Sequence, residues 1–218
     1  MQMFNGTAWT NMIGLPYSAP PIATITIGTQ AWMAANLDVG TMITGTTTMT
    51  NNSVLEKYCY DDDPANCATY GALYQWDEMM QYVTTAGTQG VCPTGFHLPT
   101  DDEWKNLEMH LGMTQAQADA TGIRGTDQGS QLAGNEPLWT NGLLDQNGAF
   151  GSSGFTALPG GYRNTSGSFY SQSIGAFYWS SSESGGNAWY RSLFSDSPKV
   201  NRFDDSKSFG FSVRCVQD

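Results

Sequence analysis

The sequence predicts an α+β fold, because helix signals crowd the middle of the chain while short strands set in Gly, Ser and Asn loops fill its last third. Aromatic residues make up 12% of the chain and charged residues only 13%. Disorder goes with the opposite balance, so Trp 7, Tyr 10 and Phe 10 argue for a packed interior. At 218 residues there is room for one sizeable core.

Residues 1–21 end in Leu15-Pro16-Tyr17-Ser18-Ala19-Pro20-Pro21, where prolines fix φ and remove donors, so they read as a lead-in or linker ahead of a domain over 22–218. Residues 23–27 alternate small or polar with apolar side chains, a strand that Gly28 ends, and 32–37 continue the sheet. Leu73, Trp76, Met80 and Val83 fall on one helical face, which predicts a helix over 71–82. The clearest start signal is Thr100-Asp101-Asp102-Glu103, a capping box in which Thr100 accepts from the Glu103 amide and Glu103 reaches back. Trp104, Leu107 and Leu111 then share a face, and Gly112 closes that helix. Thr114 and Gln117 repeat the box for a shorter one.

From residue 152 onward the expected strands are 155–158, 177–182, 188–194, 199–203 and 209–216. In the last of these Phe209, Phe211, Val213 and Cys215 share one parity and are expected to face inward, with Ser212 and Arg214 outward. The strand at 188–194 is bulky on both sides: Trp189, Arg191 and Leu193 on one, Tyr190, Ser192 and Phe194 on the other. One side must therefore spend aromatic surface on solvent or on a ligand.

Lys+Arg 9 against Asp+Glu 20 leaves a net charge of −11, which excludes nucleic acid and anionic membrane as main partners. No apolar run approaches the roughly 18 residues that span a bilayer. Residues 1–6 lack a charged region followed by an apolar one, so no signal peptide is visible. Four cysteines are too sparse for a stapled miniprotein and leave two disulfides or four quiet thiols. Hydrolytic chemistry needs a base, yet the chain offers only His97 and His110, both read as structural, and Gly151-Ser152-Ser153-Gly154 lacks the nucleophile-elbow spacing. Asp61-Asp62-Asp63 has neither the alternate ligands nor the glycine of a calcium loop and reads as a solvated acidic loop. No Cys or His pair stands at zinc-ligand spacing, so neither metal nor cofactor is expected.

Residues 162–208 are dominated by Tyr, Trp, Ser, Asn, Asp and Gly, the vocabulary of recognition loops, in which rigid aromatics supply area and short polar residues adapt their hydrogen bonds.

Three segments carry a resemblance: Cys92-Pro93-Thr94-Gly95-Phe96-His97-Leu98-Pro99-Thr100, Gly154-Phe155-Thr156-Ala157-Leu158-Pro159-Gly160-Gly161-Tyr162-Arg163 and Gly210-Phe211-Ser212-Val213-Arg214-Cys215-Val216. With Tyr178-Trp179-Ser180-Ser181-Ser182-Glu183 and Ala188-Trp189-Tyr190-Arg191, the chain resembles the Fibrobacter succinogenes major paralogous domain over roughly residues 22–218. That family is similar in turn to the C-type-lectin fold, in the branch shared with formylglycine-generating enzymes and the variable proteins of diversity-generating retroelements.

The resemblance implies two main helices on a twisted antiparallel sheet with long loops. It also implies a long-range Cys92–Cys215 bridge closing 123 positions, for which chain entropy gives about 5 kcal/mol. Cys59 and Cys67 would close a small loop contributing about 2.5 kcal/mol; the alternative is four free thiols in a reducing compartment. The formylglycine-generating branch carries a late reactive cysteine pair, but here only Cys215 follows Cys92, so enzymatic activity is not expected. Asn135-Glu136-Pro137-Leu138 starts the calcium pattern of sugar-binding lectins but places Leu where a ligand belongs, and Trp-Asn-Asp is absent, so calcium-bridged sugar binding is not expected.

Variable proteins of retroelements have binding residues recoded at adenines, typically from Asn codons, toward residues such as Phe, Tyr, Ser and Asp. The expected function is thus a non-enzymatic ligand-recognition domain of the bacterial cell surface or a virion, whose variable C-terminal surface binds a protein or glycan. The expected ligand-binding residues are Tyr162, Asn164, Phe169, Tyr170, Phe177, Tyr178, Asn187, Tyr190, Phe194, Asp196, Asn201, Arg202, Phe203 and Asp204. The competing expectation is a structural module packing within a larger envelope or tail protein.

Overall fold

The computed structural model describes residues 21–218 and, ahead of them, the pairing of β1 (Met3–Phe4) with β2 (Trp9–Thr10). The lead-in expected over residues 1–21 otherwise lies outside the described residues. The domain opens with a hairpin of β3 (Thr24–Ile27) and β4 (Gln30–Met33), turned at Gly28 with φ +63°. Then come β5 (Thr41–Met42), β6 (Glu56–Lys57), α1 (Pro64–Tyr70), β7 (Leu73–Tyr74), α2 (Trp76–Met79), β8 (Phe96–His97), α3 (Asp101–His110), α4 (Gln115–Asp119), β9 (Gly122–Arg124) and α5 (Gln128–Leu132). The strand-rich remainder comprises β10 (Gly160–Arg163), β11 (Phe169–Gln172), β12 (Gly175–Ser184), β13 (Asn187–Phe194), β14 (Ser197–Ser206), β15 (Phe211–Ser212) and β16 (Val216–Gln217).

Helices and strands together make an α+β fold built on two sheets. The larger has the order β7-β15-β12-β13-β14-β9, with the antiparallel meander β12–β13–β14 at its centre. The smaller, β3-β4-β16-β8, sets the last strand between β4 and β8. Cys92–Cys215 ties the approach to β8 to the approach to β16, and Cys59–Cys67 closes the turn that leads into α1. Two disulfides are typical of proteins that mature in oxidising surroundings.

Helix α3 begins where the box predicts it: the Thr100 hydroxyl accepts from the Glu103 amide while the Glu103 carboxylate accepts from the Thr100 amide. Its buried face carries Trp104 and Leu107, and Trp104 packs 4.7 Å from Trp32 and 5.8 Å from Tyr178 between ring centroids. The same face carries two buried carboxylates. Arg191 donates to Asp101 Oδ1 at 2.8 Å and to Glu108 Oε1 at 2.7 Å. Arg202 donates to Asp101 Oδ2 at 2.6 Å, and Arg124 to Glu108 Oε2 at 2.6 Å. Burial alone would raise the Asp101 pKa, but the Arg202 and Arg191 guanidiniums outweigh it and hold that carboxyl well below the usual range. Helix α4 repeats the box through Thr114 and Gln117.

Several expected elements come out differently. The 71–82 segment keeps one helical turn, α2: Leu73 and Tyr74 are taken by β15 as ladder partners, and Gln81 and Tyr82 turn into the left-handed region at φ 52° and 60°. The aspartates of the acidic loop, Asp61, Asp62 and Asp63, are exposed as expected, and Asp63 caps the helix that follows them, α1, by accepting from the Ala65 amide at 2.9 Å. The 155–158 strand reduces to an isolated bridge of Ala157 with Ala133, broken by Thr156 at φ 54°.

The 209–216 strand is two short strands, one in each sheet, and its alternation fails. Ser212 and Arg214 are 2% and 1% exposed, because this segment passes between the two sheets and neither of its sides meets water. Arg214 donates to Asn36 Oδ1 from Nε at 3.1 Å and from Nη2 at 2.6 Å, donates to the Phe155 carbonyl, and lies 4.2 Å over the Phe155 ring.

Two outcomes follow from the docking of α3. Trp104→Ala is expected to lower stability by about 3–5 kcal/mol through the cavity it opens. Glu108→Ala should cost a similar 3–5 kcal/mol, roughly, since it leaves Arg124 and Arg191 buried and under-compensated. Urea unfolding of each variant checks both figures, and a loss below 1 kcal/mol, roughly, contradicts this account of the docking.

Candidate functional site

Pleating decides which side chains reach the free face of the meander. Arg191 and Arg202 point to α3, so their neighbours Tyr190 and Phe203 point away from it, and the register sets those two directly opposite each other. On β12 the same face receives Phe177 and Trp179, with Trp179 paired to Tyr190. The β10–β11 hairpin lays Tyr162 against this face, 4.8 Å from Phe177 between ring centroids. Phe211, beside β12 in the sheet, lies 5.5 Å from Phe177 with the ring planes only 27° apart.

These residues enclose a groove of about 270 Å³ lined by Tyr162, Ser171, Phe177, Tyr190, Phe194, Asp205, Phe209 and Phe211. Phe177 and Phe211 form a buried floor, and Phe194 stands perpendicular to Phe177 at 89°. Tyr170, 47% exposed, and Phe203, 42% exposed, extend the aromatic surface beyond the rim through ring contacts with Tyr162 and Tyr190. Asp205 is the one charged residue among the described residues of the lining, and its Oδ1 accepts from the Ser206 amide at 2.7 Å. Burial, then the Asp205 charge, push the Tyr190 hydroxyl up to about 12. Burial and the neighbouring Tyr170 and Asp205 raise Tyr162 as well. Both phenols therefore stay neutral at physiological pH and can donate hydrogen bonds to a ligand.

The family model of the Fibrobacter succinogenes major domain matches residues 25–217, a span that takes in every residue of the groove and, but for Thr24, both sheets. The chain belongs to that family. No curated protein and no solved structure matches it.

Within this Fibrobacter succinogenes major domain the anticipated site residues divide. Tyr162, Phe177, Tyr190 and Phe194 converge on the groove, and Tyr170 and Phe203 flank it. Tyr178 sits on the opposite face of β12, buried against Trp104, with its hydroxyl donating to Asn36 Oδ1 at 3.1 Å. Arg202 is likewise on the helix side, paired with Asp101 and lying 3.7 Å over the Trp189 ring. Asn201 is buried and donates to Ser192 Oγ at 3.2 Å.

Asn164 accepts from the Ser166 and Ser168 amides at 3.0 and 2.9 Å and so closes its own turn. Phe169 packs 5.4 Å from Tyr60, beside the cluster of Met49, Tyr58 and Leu73. Asn187 and Asp204 bond each other at 3.0 Å near the end of the β13 hairpin, and Asp196 is exposed in the following turn. The sequence list omits Asp205, Ser171, Phe209 and Phe211. Asp205 was findable, since it shares the parity of Phe203 on one strand.

Both histidines lie outside the groove. His97 Nε2 pairs with Glu103 at 2.7 Å and Nδ1 with Asp218 at 2.9 Å, clamping the end of the chain to α3. His110 borders a polar concavity with Gly28, Gln30 and Asn106. Among the described residues no group of three or more His, Cys, Asp or Glu side chains is placed to hold a metal ion.

Burial alone would lower the His97 pKa, but the hydrogen bonds to Glu103 and Asp218 outweigh it and raise the pKa above 6.5. A group whose pKa is raised on folding stabilises fully below its unfolded value and loses that effect as pH climbs through the folded value. The thermal-unfolding gap between the native chain and His97→Gln is therefore expected to be widest below about pH 6.5 and to shrink as the pH rises above it. A gap that widens with pH contradicts the clamp.

Proposed function

We propose that this chain is a non-enzymatic recognition domain with a C-type-lectin-like scaffold, exported to a bacterial surface or a virion, and that the aromatic groove on the free face of the β12–β14 meander is where it takes hold of its ligand. The observation that carries the reading is the convergence of Tyr162, Tyr190, Phe194 and Asp205 over a floor of Phe177 and Phe211. Rings of this kind are the common anchors of binding sites, and here the flanking Tyr170 and Phe203 continue the surface outward for a macromolecular partner.

Support for the scaffold comes from three features: a ten-residue helix across one sheet face, the last strand inserted beside the β3–β4 hairpin, and a bridge joining the stretch before α3 to the final strand. Of the two main helices that the lectin likeness implies, α3 fills one place, while the seven-residue α1 stands ahead of the expected position of the other. The two disulfides support export. No helix among the described residues is long and apolar enough to cross a membrane.

Diversification by a retroelement is the finer form of this proposal. The groove residues Tyr162, Tyr190, Phe194 and Asp205 all belong to the set reachable from Asn codons by changes at adenines. Coding regions from several isolates are expected to differ at these codons and to agree at Trp104, Asp101 and Glu108; differences scattered evenly over the chain remove the diversification claim.

An array of glycans and surface proteins tests binding itself. Tyr190→Ala and Phe194→Ala should each weaken a captured partner by about 30-fold or more. Both should retain cooperative unfolding, at a midpoint lowered by the packing each ring loses against the core. Undiminished capture by both variants removes the groove from the binding surface and favours a structural module whose rim packs within a larger assembly.

A further inference from the structure

Some aromatic rings elsewhere in this fold carry one of the protein's own cations. Arg163 lies 4.7 Å over Tyr58, Arg202 3.7 Å over Trp189, Lys207 4.1 Å over Trp76 and Arg214 4.2 Å over Phe155. The groove rings are not among them. Among the described residues no Lys or Arg lies over Tyr162, Phe177, Tyr190, Phe194, Phe209 or Phe211, although this is a cluster of rings in mutual contact. The faces of such rings are electron-rich and attract a cation.

The electrostatics point the same way. The charge in the lining is the Asp205 carboxylate, and the groups that raise the Tyr190 hydroxyl after burial are Asp205, Tyr162 and Asp204, with no cation opposing them. The chain as a whole is at −11. An anionic ligand would meet repulsion without a compensating base, whereas a positive group with apolar carbons would satisfy both the rings and the carboxylate. Angles of 89° between Phe194 and Phe177 and 60° between Tyr162 and Phe177 make two walls and a floor, a shape suited to a compact head group.

We propose that the groove is a receptor for an organic cation, an ammonium or guanidinium head group held against the half-buried rings of Tyr162, Tyr190 and Phe194, above the floor of Phe177 and Phe211, with Asp205 as its counter-charge. The inference rests on the reading of the groove as a ligand site and narrows that reading to a chemical class. Such a head group can come from a methylated or plain amine or from an arginine side chain, and the two sources differ in shape and hydrogen bonding.

The test titrates the full chain, carrying isotope-labelled tyrosine, with choline and with 3,3-dimethylbutan-1-ol, the neutral molecule of the same shape, while the ring signals of Tyr162 and Tyr190 are followed by NMR. Parallel titrations with N-acetyl-trimethyllysine amide and N-acetyl-arginine amide separate the two sources by which binds more tightly. Choline is expected to bind at least about tenfold more tightly than the alcohol. Asp205→Asn, shown by thermal unfolding to be folded, should erase most of that preference.

Equal binding of choline and the alcohol overturns the cation assignment while leaving a ligand groove in place. Silence of both tyrosines toward every probe overturns it too, and the array with Tyr190→Ala and Phe194→Ala then decides separately whether the groove binds anything. Because the choline-to-alcohol comparison is made on the native chain, the proposal stays falsifiable even if Asp205→Asn fails to fold.

Discussion

The docking of α3 onto the meander through buried charge is the constraint on which the rest of the structure depends. Asp101 and Glu108 lie two turns apart on one helix face, and three arginines from β9, β13 and β14 reach them across the interface. Ions this deeply buried are tolerated only with their partners in place, so the network fixes both the position of the helix along the sheet and the face that the sheet must turn toward it. Once Arg191 and Arg202 are committed to the helix, strand pleating sends Tyr190 and Phe203 to the other side. The same interaction that closes one face of the sheet thus populates the other with rings.

Much of this architecture is legible in the sequence where the signal is local. The two capping boxes start helices at Asp101 and Gln115, and the strands of the meander appear within a few residues of their expected bounds. Tertiary competition defeats the rest. The face of Leu73, Trp76 and Met80 is a fair helical pattern, but β15 needs Leu73 and Tyr74 as ladder partners and takes them. Alternation over 209–216 assumes a sheet with one wet side, and this segment has none.

The candidate site is legible in its composition and blurred in its detail. An aromatic-rich C-terminal surface is there, yet composition groups consecutive residues that the pleat separates: Phe177 lies in the groove and Tyr178 in the core, Phe203 at the rim and Arg202 under Trp189. Carrying the parity of Tyr190 across the β13–β14 register to Phe203, and on to Asp205, assigns these faces correctly, but that step needs the register, which no single strand contains. The short polar residues Asn164 and Asn187 spend their side chains on local turns and hairpin ends, the ordinary occupation of asparagine in loops.

Phe177 and Phe211 belong at once to the interior and to the bottom of the groove, whereas Tyr170 and Phe203 touch it only from outside. A lineage can therefore revise the two outer rings at a cost near that of any surface exchange, typically within about 0.5 kcal/mol, while truncating either inner one forfeits about 3–5 kcal/mol. Change is thus cheap at the lip of the groove and costly in its cup.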